Sequence, residues 1–410
     1  MSLLKNQNFL ILFLSTIISG IGTGITLIGI SWIIIQEYES SRIIASITVA
    51  SHLITFLFIP KFSTLVDKIS RKQIALSLFL VGGVIQFFVG AILLRYGVVL
   101  YIIFISAVVS SLIRTCDQVN RLALSKQLFP EKDYPILNAY LEFARQAITF
   151  LAGGGATFIF RHAGLTAIIL CDAATYLIGF VLIKFIVDKK EKFKTTVLEK
   201  NVHGTKSHSL ILDFKETFSY LLRDKNLFFY YLLTLIPYIV VVSQNVIYPA
   251  HFHKLLKTGS EAFAFLAVPY GLGAVLAALV DAQCKKYMSS HSLICTCFIL
   301  YVISVPLVIW IPNVYITFGC LFIFAMAHAT IRIERMTFLM REISDKQMGR
   351  VTGFFELISL LFNIILAVLA GYAADNFGVG YAWLIFEAVM LTALLGIFLV
   401  GSKAQLKVDK

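Results

Sequence analysis

Apolar stretches long enough to cross a bilayer recur from one end of the chain to the other, broken by short polar turns. A helix needs roughly 20 apolar residues to span the hydrocarbon core. Twelve such spans are predicted, at about 8–35, 43–62, 74–95, 98–125, 134–160, 165–187, 227–252, 260–283, 290–311, 314–339, 350–374 and 379–401. A membrane barrel would show shorter segments of alternating polarity, so the pattern predicts a bundle of helices. The start, MSLLKNQNF, carries one lysine before the first apolar run, and no small-residue cleavage site follows. It reads as a retained first helix rather than a signal peptide.

Composition agrees. The 410 residues are 59% apolar and 14% charged, whereas a soluble chain carries roughly 25% charged residues. The net charge of +12 raises the question of a nucleic-acid partner. Its distribution answers it. Counted over alternate loops, 23 lysines and arginines lie on the side of the two termini, and only Arg42, Arg95, Arg161, Lys254 and Lys257 lie opposite. The positive-inside rule then places both termini in the cytoplasm, with the chain multi-pass in the cytoplasmic (inner) membrane. The charge belongs to membrane-flanking loops, so the expected partner is the lipid bilayer and not nucleic acid.

One boundary interrupts the spans. DKKEKFKTTVLEKNVHGTKSHS is polar and basic, and LILDFKETFSYLLRD follows with Leu210, Phe214, Phe218 and Leu221 at helical spacing. This predicts a six-helix bundle over 1–188, a cytoplasmic linker with an amphipathic surface helix over 189–225, and a second six-helix bundle over 226–410. The two bundles are alike. An offset of 214 residues carries Asp67 onto Asp281, Arg71 onto Lys285, Lys72 onto Lys286, Arg121 onto Arg335 and Glu142 onto Glu356. Parallel repeats of this kind are a transporter plan.

The loop STLVDKISRK, Ser63 to Lys72, packs Asp67, Lys68, Arg71 and Lys72 between two apolar runs, and AALVDAQCKK repeats it at Ala277 to Lys286. The loop resembles the G-x-x-x-D-R/K-x-G-R-R/K motif of the major facilitator superfamily, with Ser63 and Ser70 in place of the glycines. The resemblance implies an all-α membrane protein of twelve transmembrane helices in two pseudo-symmetric six-helix bundles. It also implies a cytoplasmic hinge loop in which Asp67, Lys68, Arg71, Lys72 and Asp281 tie and release helix ends. NVIYPAHFHKLLKTGSEAFAFLAVPYGLGAVLAAL (Asn245 to Leu279) and MGRVTGF (Met348 to Phe354) resemble the branch holding the enterobactin exporter and macrolide efflux pumps.

Charges inside the spans are the candidate chemistry, because each is costly in hydrocarbon and faces the bundle interior. Arg114, Asp117 and Arg121 share one helical face, as do His328, Arg332 and Arg335, while Glu334 points elsewhere. Arg121/Glu142 and Arg335/Glu356 occur in both halves and are read as gate ion pairs. Arg114, Arg145 and Arg332 break the repeat and are read as substrate-binding, since guanidinium groups grip carboxylates. The plainer reading, that these arginines only pair with Asp117, Glu142 and Glu356, stays open. Asp117 and His328 are the candidates for proton coupling. The His251-x-His253 pair has too few neighbouring ligands for a metal. The six cysteines read as buried thiols.

No catalytic motif or phosphate-cradling loop appears, so neither an enzyme nor a cofactor is implied, and an ion gradient is the expected energy source. The reading is a monomeric, proton-coupled secondary active exporter of a small anionic metabolite, a carboxylate-type siderophore, working by alternating access. A multidrug or macrolide-type efflux pump is the alternative, and a non-transporting membrane receptor or scaffold the third.

Overall fold

The computed structural model describes residues 5–130, 133–187, 218–219, 221–222, 224–343 and 345–408. The side chains of Asp67, Lys68 and Glu142, and nearly all of the expected linker with its surface helix, lie outside the described residues. Among the described residues the secondary structure is helical, without a strand. The long helices are α1 (Gln7–Tyr38), α2 (Ser41–Lys68), α3 (Arg71–Tyr96), α4 (Leu100–Leu128) and α5 (Tyr134–Lys184). After the linker come α6 (Lys225–Gln244), α7 (Ser260–Phe265), α8 (Ala267–Cys284), α9 (Ser290–Trp310), α10 (Val314–Glu342), α11 (Asp345–Asn376) and α12 (Val379–Val408). Between α6 and α7 lie a short piece, Tyr248–Ala250, and a π-helical turn, His251–Leu255.

Eleven segments among the described residues are long and apolar enough to cross a membrane. The twelfth expected span, 134–160, is the first leg of α5. Gly164, at φ +69° and ψ −172°, separates it from the second leg. Only glycine adopts that conformation without strain, so the bend is written into the residue.

Helix ends follow from local chemistry. The side chains of Ser70, Asp224, Ser289 and Asn313 accept hydrogen bonds from backbone N–H groups in the first turns of α3, α6, α9 and α10. Each satisfies a donor that the helix itself leaves orphaned. Ser70 stands where the resembling motif has glycine, and its hydroxyl supplies the cap of α3.

The chain forms two compact units, and both depart from the expected halves. The first holds residues 1–38, 46–204 and 260–268. Within it α1 and α3 pack along α5, around Phe9, Leu12, Phe79, Ile113 and Tyr176. The segment 260–268 joins this unit because Phe263 stacks on Trp32 at 5.5 Å and Thr157 Oγ1 donates to the Glu261 carbonyl at 3.3 Å.

The second unit holds residues 39–45, 205–259 and 269–410. Its core centres on Trp383, fully buried among Tyr248, His251, Phe324 and Phe386. Residues 39–45 belong here because of Asp375, near the end of α11. Its carboxylate accepts from Ser41 N at 2.7 Å, Arg42 N at 3.0 Å and Ser40 Oγ at 2.7 Å. Asp375 therefore caps α2 from a distant part of the chain, where anionic charge also meets the positive helix end.

The Arg42 side chain lies 3.7 Å from the same carboxylate but is 47% exposed. An exposed pair of this kind contributes little. Asp375→Ala should therefore destabilise the start of α2 by about 1–2 kcal/mol, while Arg42→Ala should cost under about 0.5 kcal/mol. Hydrogen exchange at residues 41–44 checks this. Faster exchange in the Asp375 variant and little change in the Arg42 variant is the expected result.

Candidate functional site

In the first unit the charged face of α4 is held from within. Asp117 Oδ2 accepts from Arg121 Nε at 3.1 Å and also from Nη2. The same guanidinium reaches α1, donating through Nη1 to the Leu12 carbonyl at 3.2 Å, to Ser15 Oγ at 3.4 Å and to Thr16 Oγ1. Arg121 also lies over the Phe79 ring, 5.9 Å from its centroid. One buried guanidinium thus ties α4 to α1, and a carboxylate one turn earlier balances its charge. The expected partner of Arg121 was Glu142, whose side chain is outside the described residues. Asp117, expected to be a proton carrier, is the ion-pair partner here.

Of the expected hinge loop, the side chains of Arg71 and Lys72 are described. Arg71 Nη1 donates to the Ala123 carbonyl at 2.7 Å, and Lys72 Nζ to the Ile186 carbonyl at 2.7 Å. Asn120 Nδ2 holds the Arg71 carbonyl at 2.9 Å. The loop is therefore fastened to α4 and to the chain just past α5 by bonds to backbone carbonyls, which cations complement at helix C-termini.

The second unit builds its copy differently. Lys285 Nζ lies 2.6 Å from Glu334 Oε1 and 3.8 Å from Asp281 Oδ2. Glu334 is 2% exposed. It lies off the His328–Arg332–Arg335 face, as its helical phase requires, and turns towards the hinge. Arg335 donates through Nη1 to the Thr234 carbonyl of α6 at 3.1 Å. Among the described residues no ion pair within 4.0 Å joins Arg335 to Glu356, which is exposed. In this structure the expected second gate pair is replaced by a bond to a backbone oxygen, which the long arginine reaches because α6 packs on α10.

His328 is 8% exposed and stacks on Tyr238, with ring centroids 5.8 Å apart. Arg114 and Arg145 are exposed and Arg332 is half-buried. His251 is fixed as a neutral ring. Trp383 Nε1 donates to its Nδ1 at 3.2 Å, and its Nε2 faces Thr317 Oγ1 at 3.4 Å. An indole N–H can only donate, so Nδ1 is the acceptor and Nε2 carries the hydrogen. Both nitrogens are engaged, which leaves His251 no lone pair for a metal. Among the described residues no group of three or more His, Cys, Asp or Glu side chains could hold a metal ion.

A second network escaped the sequence reading of roles. Asp172, on the second leg of α5, is fully buried. Its Oδ2 accepts from Gln86 Nε2 of α3 at 3.2 Å, and its Oδ1 accepts from the hydroxyls of Thr23 and Thr175 at 3.4 Å. Gln86 also donates to Ser110 Oγ and accepts from Ser106 Oγ at 2.8 Å. The Thr23 hydroxyl meets Tyr176 Oη at 3.0 Å. A Cβ on Gly22 would fall 2.7 Å from Asp172 Oδ1, so that glycine lets the carboxyl reach α1. The one signal in the sequence is a carboxylate centred in the apolar run IILCDAATYLIG.

Eleven described segments long and apolar enough to cross a membrane, with charged side chains within them, suit a membrane transporter. The chain belongs to the Major Facilitator Superfamily, which it matches over residues 12–361. No curated protein matches the sequence. Among solved structures, the chain is similar to a bacterial homologue of the iron transporter ferroportin in an inward-facing state. The TM-score is 0.73 at 14% identity, over 98% of this chain and 100% of that one. It is also similar to the nucleoside transporter NupG (TM-score 0.71, 12% identity, 96% and 99% covered). A third likeness is to a bacterial homologue of the human lysosomal transporter Spinster, inward-facing and unoccupied (0.70, 11%, 95% and 95%). These likenesses show the fold.

The Arg121–Asp117 pair is largely buried, with side chains 8% and 16% exposed. Arg121→Ala should leave Asp117 uncompensated and cost about 3 kcal/mol. Asp117→Ala with Arg121→Ala should cost less than the sum of the singles, because neither charge is then stranded. Thermal melting of the purified variants in detergent tests this. Additive losses would show that the two side chains do not act as a pair.

Proposed function

We propose that the protein is a proton-coupled secondary active exporter of a small anionic metabolite, of the carboxylate-siderophore class, working by alternating access from the cytoplasmic membrane with both termini in the cytoplasm. The observation that carries this reading is Arg114. It lies at the middle of α4, within a span that crosses the membrane, and it is exposed on the protein surface. A guanidinium at mid-bilayer cannot face lipid without a large cost, so an exposed one faces water or a polar ligand. Arg145 is also exposed, and Arg332 lies one turn beyond His328 on α10. Each of these arginines interacts with other groups in the structure. A carboxylate substrate would join that set through the bidentate geometry that arginine offers. The resemblance of Asn245 to Leu279 and Met348 to Phe354 to the enterobactin-exporter branch supports export, and the lack of a phosphate-binding loop supports an ion gradient as the energy source.

Binding to the purified full-length protein in lipid nanodiscs tests the reading, with a citrate-based carboxylate siderophore and a neutral macrolide as probes. Arg114→Ala and Arg332→Ala should each weaken binding of the carboxylate by about 2 kcal/mol or more, the scale for truncating one partner of a buried charge pair. Neither should change macrolide binding. Tight macrolide binding with no carboxylate binding would overturn the anionic substrate in favour of a drug pump. Carboxylate binding unaffected by both substitutions would remove the arginines from the site.

A further inference from the structure

We infer that Asp172 is a proton-binding site of this transporter, loaded in the conformation seen here and continued by the hydroxyls of Thr23 and Tyr176. The inference rests on the proposed proton coupling and assigns it to a residue other than Asp117 or His328.

The first observation is the company Asp172 keeps. Every group that faces it is neutral: Thr23 and Thr26 from α1, Gln86 from α3, and Thr175 and Tyr176 from its own helix, with Ser106 and Ser110 of α4 behind Gln86. Among the described residues no lysine, arginine or histidine lies within 4.0 Å of its carboxylate. Asp117, by contrast, has Arg121. A fully buried carboxyl in a membrane span, without a cation beside it, is neutral only if it carries a proton.

The second observation is that the 214-residue repeat does not carry this network residue for residue. Under the 214-residue offset its members fall on Pro237, Val240, Leu300, Cys320, Phe324, Phe386, Val389 and Met390. All eight are apolar, and Val240, Phe324, Phe386 and Met390 are fully buried. The second unit does not repeat the cluster at these positions: its acid, Glu387, stands one residue on from Phe386, and its buried hydroxyl and amide, Tyr301 and Gln244, bond each other instead. Burying a polar cluster that packing could replace with hydrocarbon costs stability, so its presence calls for a function.

The third observation is a path. Asp172 Oδ1, Thr23 Oγ1 and Tyr176 Oη form a chain with links of 3.4 and 3.0 Å. Release is a concerted shift along this chain. The Thr23 hydroxyl, which here donates to Asp172 Oδ1, first turns to donate to Tyr176 Oη. Asp172 then gives its proton to the Thr23 oxygen, the Thr23 hydroxyl proton passes to the Tyr176 oxygen, and the Tyr176 hydroxyl proton leaves to water once a change of conformation opens this buried residue to it. Each hydroxyl breaks one O–H bond and forms one, so the net change is a carboxylate at Asp172 and one proton delivered.

Infrared spectroscopy of the full-length protein in lipid vesicles tests the site without any substrate. The parent should show a protonated-carboxyl C=O band that is lost in Asp172→Asn and restored in Asp172→Glu, and that shifts on exchange into D2O. Thr23→Val and Tyr176→Phe should keep the band and slow its exchange. A band unchanged by Asp172→Asn would belong to another carboxyl and overturn the inference, and so would a band that never exchanges, the mark of a purely structural carboxyl. Vesicle flux of the citrate-based siderophore under an imposed pH gradient is the second readout. Asp172→Asn should abolish gradient-driven movement while keeping exchange at equal pH, and gradient-driven movement that survives would also overturn the site. If the parent moves no siderophore but its Asp172 band exchanges, the substrate reading fails and the proton site stands.

Discussion

Hydrocarbon offers no water to a polar group, so each charge or hydroxyl inside a span must be satisfied by another part of the bundle. This constraint orders the rest of the molecule. Apolar side chains gain little by leaving lipid for one another, so polar contacts and close packing decide which helices meet. Arg121 shows the consequence. Its guanidinium needs several acceptors at once, and it finds them on α1 and on Asp117, which fixes α4 against α1. Asp375 does the same for the first turn of α2, drawing residues 39–45 into the second unit.

The constraint has two solutions, and the molecule uses both. One balances charge against charge, as in Arg121 with Asp117 or Lys285 with Glu334. The other uses neutral donors and acceptors, as around His251, Gln86 and Asp172. The two respond differently to protons. An ion pair resists protonation of its acid because the partner cation would be stranded. A carboxyl among hydroxyls and an amide has no such partner to lose, and its neutral form suits the surroundings.

The apolar spans were legible in the sequence because run length is a one-dimensional pattern, as are a constant offset and a charge cluster. Helical phase was legible too, since 100° per residue separated Glu334 from its neighbours on α10. Pairing between helices was not, because it depends on how each helix is rotated and how far it slides. Thus Arg335 reaches the Thr234 carbonyl, an acceptor that every residue carries and no sequence pattern marks. The Asp172 network failed to register for the same reason: Thr23, Gln86 and Asp172 sit on three helices with no spacing in common. The capping role of Ser70 was hidden because a glycine-to-serine change reads as a lapse from a motif until the N–H of Gln73 is seen beside it.

The repeat carries one more lesson at the hinges. Arg71 and Lys285 occupy the same place under the offset, as do Asn120 and Glu334. In the first unit a planar guanidinium bonds the Ala123 carbonyl, and a neutral amide holds the backbone of Arg71. In the second, a flexible ammonium stands between two carboxylates, close to Glu334 and farther from Asp281. A guanidinium fork commits to one direction, whereas an ammonium is a point charge that can shift between acceptors. The first hinge is thereby set in one geometry by direction-dependent bonds to backbone. The second is held by charge, and its lysine can follow either carboxylate as the helix ends move. Among the described side chains, two loops of common design thus hold their helix ends by different bonds, and the difference lies at two equivalent positions.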